Sequence, residues 1–253
     1  QARLAATRTG DVVTLDGMKA WCSGAGRCTH ALVTAHLGGD ERGLFAVALK
    51  DPGVRPRPST WRNPGMRESD TRDVAFTAVP AVPVGAPGDY LTRPGFWHGA
   101  LGVAACWFGG ARAVAAPLYR GAKDEHALAH LGAVDAALAA AEAMLTAAAA
   151  HIDADPRNAT GTAELWARRT RAVAETAVDE AIARTGRALG PGPLCQDEFH
   201  ARAVADLTMY VRQSHAEPHL HRRFAWELAV DDVGVGGVGV HVQHGRVVLA
   251  EAQ

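Results

Sequence analysis

The chain has 253 residues, 48% of them hydrophobic and 21% charged, with a formal net charge of -1 at pH 7. That balance excludes a basic nucleic-acid face and like-charged tails, while the length suits one large domain or two small ones around a real core. Four cysteines (Cys22, Cys28, Cys106 and Cys195) form no C-x-x-C pair and read as reduced thiols of a cytoplasmic protein. No uninterrupted apolar run approaches the ~20 residues of a membrane helix. The most apolar stretch, residues 99–116, is rich in small residues and carries Arg112.

Up to about Tyr90 the sequence is punctuated like a sheet domain. "DVVTLDG" (11–17), "MKAWCS" (18–23), "HALVTAHL" (30–37), "GLFAVALK" (43–50) and "DVAFTAV" (73–79) are short runs of strand-forming residues. Between them "GAGRC", "GGDERG" and "DPGVRPRP" read as turns and loops. Strands at this spacing predict an antiparallel β barrel or sandwich over residues 1–92.

After "GAPGDYLTRPG" the period changes to that of helices. The pattern predicts a helix over 94–118 with Pro94 in its first turn. A second covers 124–152, with Leu128, Leu131, Val134, Leu138, Met144 and Leu145 at helical spacing. A third covers 162–189, ended by "GPGP", and a fourth covers 197–213. The fold class is therefore α+β, the barrel or sandwich being followed by an antiparallel four-helix bundle over 93–217. The tail, 218–253, fits neither half; "HVQHGRVVL" within it reads as a hairpin turning at Gly245.

Four stretches carry a resemblance: "VTLDGMKAWCSGAG", "GMRESDTRDVAFTAVPAVPVGAPGDY", "GRALGPGPL" and "ADLTMYVRQSHAE". In order and spacing they resemble the middle β domain and C-terminal helical domain of the acyl-CoA dehydrogenase superfamily, over about Asp11 to Glu217. The resemblance implies an FAD-dependent oxidoreductase that desaturates an acyl thioester, such as an acyl-CoA, between its α and β carbons. It implies that Trp21 and Cys22 lie beside the flavin ring and that Ser23 hydrogen-bonds near its N5 edge. A flat apolar ring with a polar rim suits an aromatic neighbour and a few fixed donors. Spacing alone reads Trp21 as a core residue of a strand, with Ser23 starting a turn.

The same resemblance makes Gly190 and Gly192 part of a loop that helps hold the dinucleotide of FAD in a neighbouring subunit, although Pro191 and Pro193 remove two of its donors. Alone, "LGPGP" reads as a helix stop. Arg120 stands near the position of an arginine on the FAD diphosphate, and Arg67 could meet a substrate phosphate or a neighbouring carboxylate. The fourth stretch departs from the family, placing Ser214 where relatives have the glutamate that takes the α proton. A serine hydroxyl cannot do that unaided. His215 and Glu217 are the nearby replacements, His215 being the natural base near neutral pH. Both read equally as solvated residues at a helix end.

The resemblance implies homo- or hetero-oligomers through the bundle. The family's N-terminal helical domain has no counterpart, and the chain opens on Gln1, so it reads as a fragment or as one part of a split enzyme completed by a partner chain. Two other readings stay open: a non-catalytic partner subunit and a flavin monooxygenase on the same fold. Neither "HAEPHLH" nor His126 with His130 matches a metal signature, so no metal is expected.

Overall fold

A computed structural model of the chain describes residues 3–39, 41–214, 240–243 and 246–249. The chain divides into two compact units, Gln1–Ser214 and His215–Gln253.

In the first unit, β1 (Leu4–Thr9) and β2 (Val12–Cys22) form a hairpin that turns at Gly10, φ +61°. β3 (His30–Gly38) and β4 (Glu41–Ala48) form a second, followed by the short β5 (Val54–Pro56) and the long β6 (Arg72–Pro83). The strand order is β2-β1-β3-β4-β6-β5, and β2 also pairs with β6, which closes five strands into a barrel. The barrel is mixed rather than wholly antiparallel, because β1 and β3 run parallel with Ala5 opposite His36. The free edge of β2 is taken by β6, so β3 docks against β1 and two like-directed strands meet. The interior is filled by Leu4, Val13, Leu15, Val33, Phe45, Val47, Val74, Phe76 and Val79.

The two runs expected before and after Gly17 are one strand. Gly17 sits at φ +118° beside a bulge, where a Cβ would lie 2.2 Å from the Arg3 carbonyl oxygen. Only glycine lets β2 bend there without breaking. β1 is Ala- and Thr-rich with no strong alternation, and β5 lies inside a proline-rich loop as an edge strand, so neither stands out locally.

The helices are α1 (Asp89–Thr92), α2 (Pro94–Gly121), α3 (Glu125–Ala154), α4 (Ala163–Leu189), α5 (Gly192–Gln196) and α6 (Glu198–Val211). Pro94 opens α2, and Asp124 and Asp197 cap α3 and α6 by accepting from the amides of Ala127 at 2.9 Å and His200 at 3.0 Å. The four long helices share one core of Trp107, Val114, Leu118, Val134, Val178, Leu207 and Val211, interleaved with buried alanines that let the helix axes approach. By length and composition α2 and α3 could each cross a membrane, yet α2 spends its apolar face on this core. "GPGP" does not only stop α4, since it leads into α5. In the second unit, β7 (Val240–Gln243) pairs antiparallel with β8 (Arg246–Leu249), as expected of a hairpin; Gly245 lies outside the described residues.

Candidate functional site

β2 ends in an irregular turn of backbone. Between Lys19 and Cys22 the register with β6 shifts, and Trp21 takes a left-handed conformation at φ 60°. For a bulky aromatic residue this is an outlier that costs on the order of 1–3 kcal/mol. Its amide donates to Asp73 Oδ1 at 3.4 Å, and its ring meets that of Trp61 edge to face at 5.9 Å. The result is an indole 71% exposed, turned away from the barrel interior. It walls a cavity of about 320 Å³ together with Trp61, Thr71, Arg72, Asp73 and, from α6, Met209.

The loop after Trp21 is clamped by the turn that precedes β6. Met66 and Asp70, at φ 56° and 48°, bracket a short 3-10 turn, Arg67–Ser69. Thr71 Oγ1 shares hydrogen bonds with Ser23 Oγ at 2.9 Å and Ser69 Oγ at 2.7 Å, and the Gly24 amide donates to the Ser69 carbonyl at 2.7 Å. Asp70 accepts from the Gly26 amide at 2.9 Å and from Arg72 Nε at 2.7 Å. A Cβ at Gly26 would fall 2.6 Å from that carboxylate, so the clamp needs glycine there. The Arg72 guanidinium, and then the Gly26 amide, hold the Asp70 carboxyl below the usual carboxylate range. Three of the five described non-glycine residues with positive φ therefore border this one site.

α6 is fastened to the same turn. Asp206 Oδ1 accepts from the Met66 amide at 2.6 Å, and Arg202 reaches Glu68 at 2.8 Å. Gly65 fits so closely that a Cβ would sit 2.0 Å from the Ala205 carbonyl oxygen. Trp61 Nε1 donates to the Gly65 carbonyl at 2.9 Å, which ties the second indole to this contact. These bonds set Met209 at the cavity wall, and Ser214 ends the 3-10 turn that follows α6.

The structure thus brings Trp21, Ser23 and the end of α6 together. Cys22 packs against the barrel core with its thiol on the Lys19 carbonyl at 3.5 Å, and burial pushes that thiol's pKa up. Arg67 is exposed on the 3-10 turn. Arg120 belongs elsewhere, in a groove between α2 and α3 with Arg112, Tyr119 and Asp135. There burial, and then the hydrogen bond to Asp135, push the Tyr119 pKa up to about 12. Gly190, at φ +64°, caps α4 and Gly192 opens α5, and neither lines the Trp21 cavity. His215 and Glu217 lie outside the described residues. Trp61, Asp73 and Met209 line the cavity and were missed by sequence reading. Trp61 stands in a proline-rich loop with no period, and Met209 is one apolar residue among many on its helix.

An exposed indole, a Thr71 hydroxyl joined to that of Ser23, and the charged side chains of Arg72 and Asp73 in the lining suit a planar ligand with an apolar face and a polar margin.

No family model and no curated protein matches the chain, whereas solved structures do. A probable acyl-CoA dehydrogenase from Mycobacterium abscessus superposes with a TM-score of 0.75 at 18% identity, over 89% of this chain and 64% of that one. An acyl-CoA dehydrogenase from Slackia heliotrinireducens gives 0.75 at 17%, over 92% and 65%. TdsC from Paenibacillus sp. A11-2, solved with FMN and indole, gives 0.70 at 21%, over 90% and 68%. The chain has an acyl-CoA dehydrogenase-like fold and spans less than two thirds of the two acyl-CoA dehydrogenases.

Proposed function

We propose that the chain is the barrel-and-helix part of an FAD-dependent oxidoreductase that desaturates an acyl thioester, working in an oligomer of like or unlike chains. The observation that carries this reading is the Trp21 indole, held exposed by a left-handed backbone and walling a cavity. Backbone strain without burial in return marks a position shaped for a ligand rather than for stability. Trp21 would face the flavin ring, and Ser23, oriented through Thr71 and Ser69, would supply the polar contact at its rim. When bound, the flavin supplies an acceptor for the hydride equivalent removed from the substrate's β carbon.

The chain's own task is then to position the thioester and to take the α proton. Ser214 stands where the family resemblance places a carboxylate, and its hydroxyl is too weak a base. His215 is the base in this proposal, receiving the α proton on a ring nitrogen, with Glu217 the alternative. Arg72 and Asp73 add a cation and a carboxylate to the cavity lining.

The test is the visible spectrum of the purified chain with FAD. Bound oxidised flavin, bleached by an acyl-CoA under anaerobic conditions, is the expected result. A chain that takes up no flavin, alone or beside an added partner chain, overturns the reading. Flavin uptake with oxygen consumption in place of desaturation would move the assignment to a monooxygenase.

A further inference from the structure

At the rim of the barrel β2 and β6 run side by side, with Lys19 opposite Val74 and Cys22 opposite Arg72. Neighbouring residues of a strand face opposite sides. Val74 and Cys22 turn to the barrel core, so Asp73 and Trp21 both turn outward, and both line the cavity of about 320 Å³. Among the described residues Asp73 is the one carboxylate in that lining. Its backbone carbonyl accepts from the Arg57 amide at 2.8 Å, which ties the start of β6 to the loop after β5. Its Oδ1 accepts from the Trp21 amide at 3.4 Å. The carboxylate is thus fixed beside the residue whose indole walls the cavity.

The other charges of the lining are held differently. Arg72 lies against Asp70 at 2.7 Å, where its charge is offset. Arg62 stands on the exposed loop before the 3-10 turn, at the end of a long flexible stem. Asp73 forms no ion pair among the described residues. The barrel gains one long hydrogen bond from this short, exposed side chain and no packing. A full negative charge at the wall of a cavity, without a counter-ion in the protein, acts on whatever the cavity holds.

We propose that Asp73 tunes the electron affinity of the ring bound against Trp21 and holds its reduction potential down, an inference that rests on the flavin reading above. The oxidised ring is neutral. A hydride leaving the substrate's β carbon, with the α proton passing to a base on the protein, adds one negative charge to the ring. The fixed carboxylate in the same cavity repels that added charge. A ligand covering the indole also removes water from around Asp73, and the repulsion grows as the local dielectric falls. Asp73 takes no proton and forms no bond in this role. Its field makes the ring a weaker acceptor and, once reduced, a readier donor.

The test is the midpoint potential of the full chain loaded with FAD, measured without oxygen against a reference dye, in the parent and in Asp73→Asn. Asparagine keeps an acceptor for the Trp21 amide and removes the charge. At a fixed poise the ratio of reduced to oxidised flavin is expected to rise about tenfold, a shift of about 30 mV upward for a two-electron couple. Asp73→Glu, which keeps the charge, should stay near the parent's potential. Asp73→Ser, small and uncharged, takes the place of the asparagine variant if that chain does not fold, with the same rise expected. A potential in the uncharged variant equal to or below the parent's, or an equal rise in Asp73→Glu, overturns the proposal and leaves the flavin reading standing. A parent chain that takes up no FAD, alone or beside an added partner chain, overturns both.

Discussion

The rim of the barrel and the core of the helices each hold a tryptophan, under opposite conditions. Trp107 on α2 is fully buried, with Tyr210 edge to face at 6.0 Å and the Arg171 guanidinium over its ring at 4.3 Å. Its backbone is ordinary helix, and the cost of half-burying Arg171 is offset by the ring beneath it. Trp21 lies on strained backbone and stays exposed, with Trp61 as its one aromatic neighbour among the described residues. The same side chain therefore marks two purposes. Around Trp107 the protein closes over the whole ring, leaving its buried Nε1 without a hydrogen-bond partner among the described residues, whereas around Trp21 it leaves the ring open and bears the strain of doing so.

The largest expected effect sharpens the first half of that contrast. Trp107→Ala should destabilise the chain by about 3–5 kcal/mol, as large-to-small core changes do, read from the chemical denaturation midpoint. A cost below about 1 kcal/mol would show that the helices close over the gap.

A smaller effect concerns the clamp behind Trp21. The Asp70 pKa is lowered in the fold, so its contribution to stability is complete above the usual carboxylate range and is lost as pH falls through the lowered value. Asp70→Asn should therefore be less stable than the parent at neutral pH, with the gap closing in acid. Denaturation curves at neutral and acidic pH give the comparison. A gap that does not change with pH would mean that the Arg72 and Gly26 contacts work without the charge.

The smallest stability change should come at Trp21 itself. Trp21→Gly removes an exposed ring and relieves the left-handed backbone, so the midpoint should stay within about 1 kcal/mol of the parent or rise. Flavin uptake should fall sharply in the same variant. A large loss of stability here would make Trp21 a structural residue like Trp107 and erase the contrast.

Much of the site was legible at residue level, and its assembly was not. "KAWCSGAG" and "ESDTRD" stand out because Trp, Ser, Thr and Gly adjoin strand-forming runs in turn-forming patterns. The clamp between them was hidden, since the Thr71–Ser23 and Asp70–Gly26 bonds join segments far apart in the chain. Cys22, one residue beyond Trp21, faces the barrel core instead of the cavity, because neighbouring residues of a strand face opposite sides. Met209 could not be separated from the core residues of α6 until Asp206 and Gly65 fixed how that helix docks.

Local chemistry alone settled the helix ends, through Pro94, Asp124 and Asp197, and the main strand runs, through their Val, Thr and aromatic content. Those preferences act within a turn or two of chain and need no partner. The parallel meeting of β1 and β3, the closure of β2 on β6 and the outward turn of Trp21 came only with the tertiary structure. Each depends on which strand edge is already occupied and which backbone lies opposite, and no short window of residues carries that information.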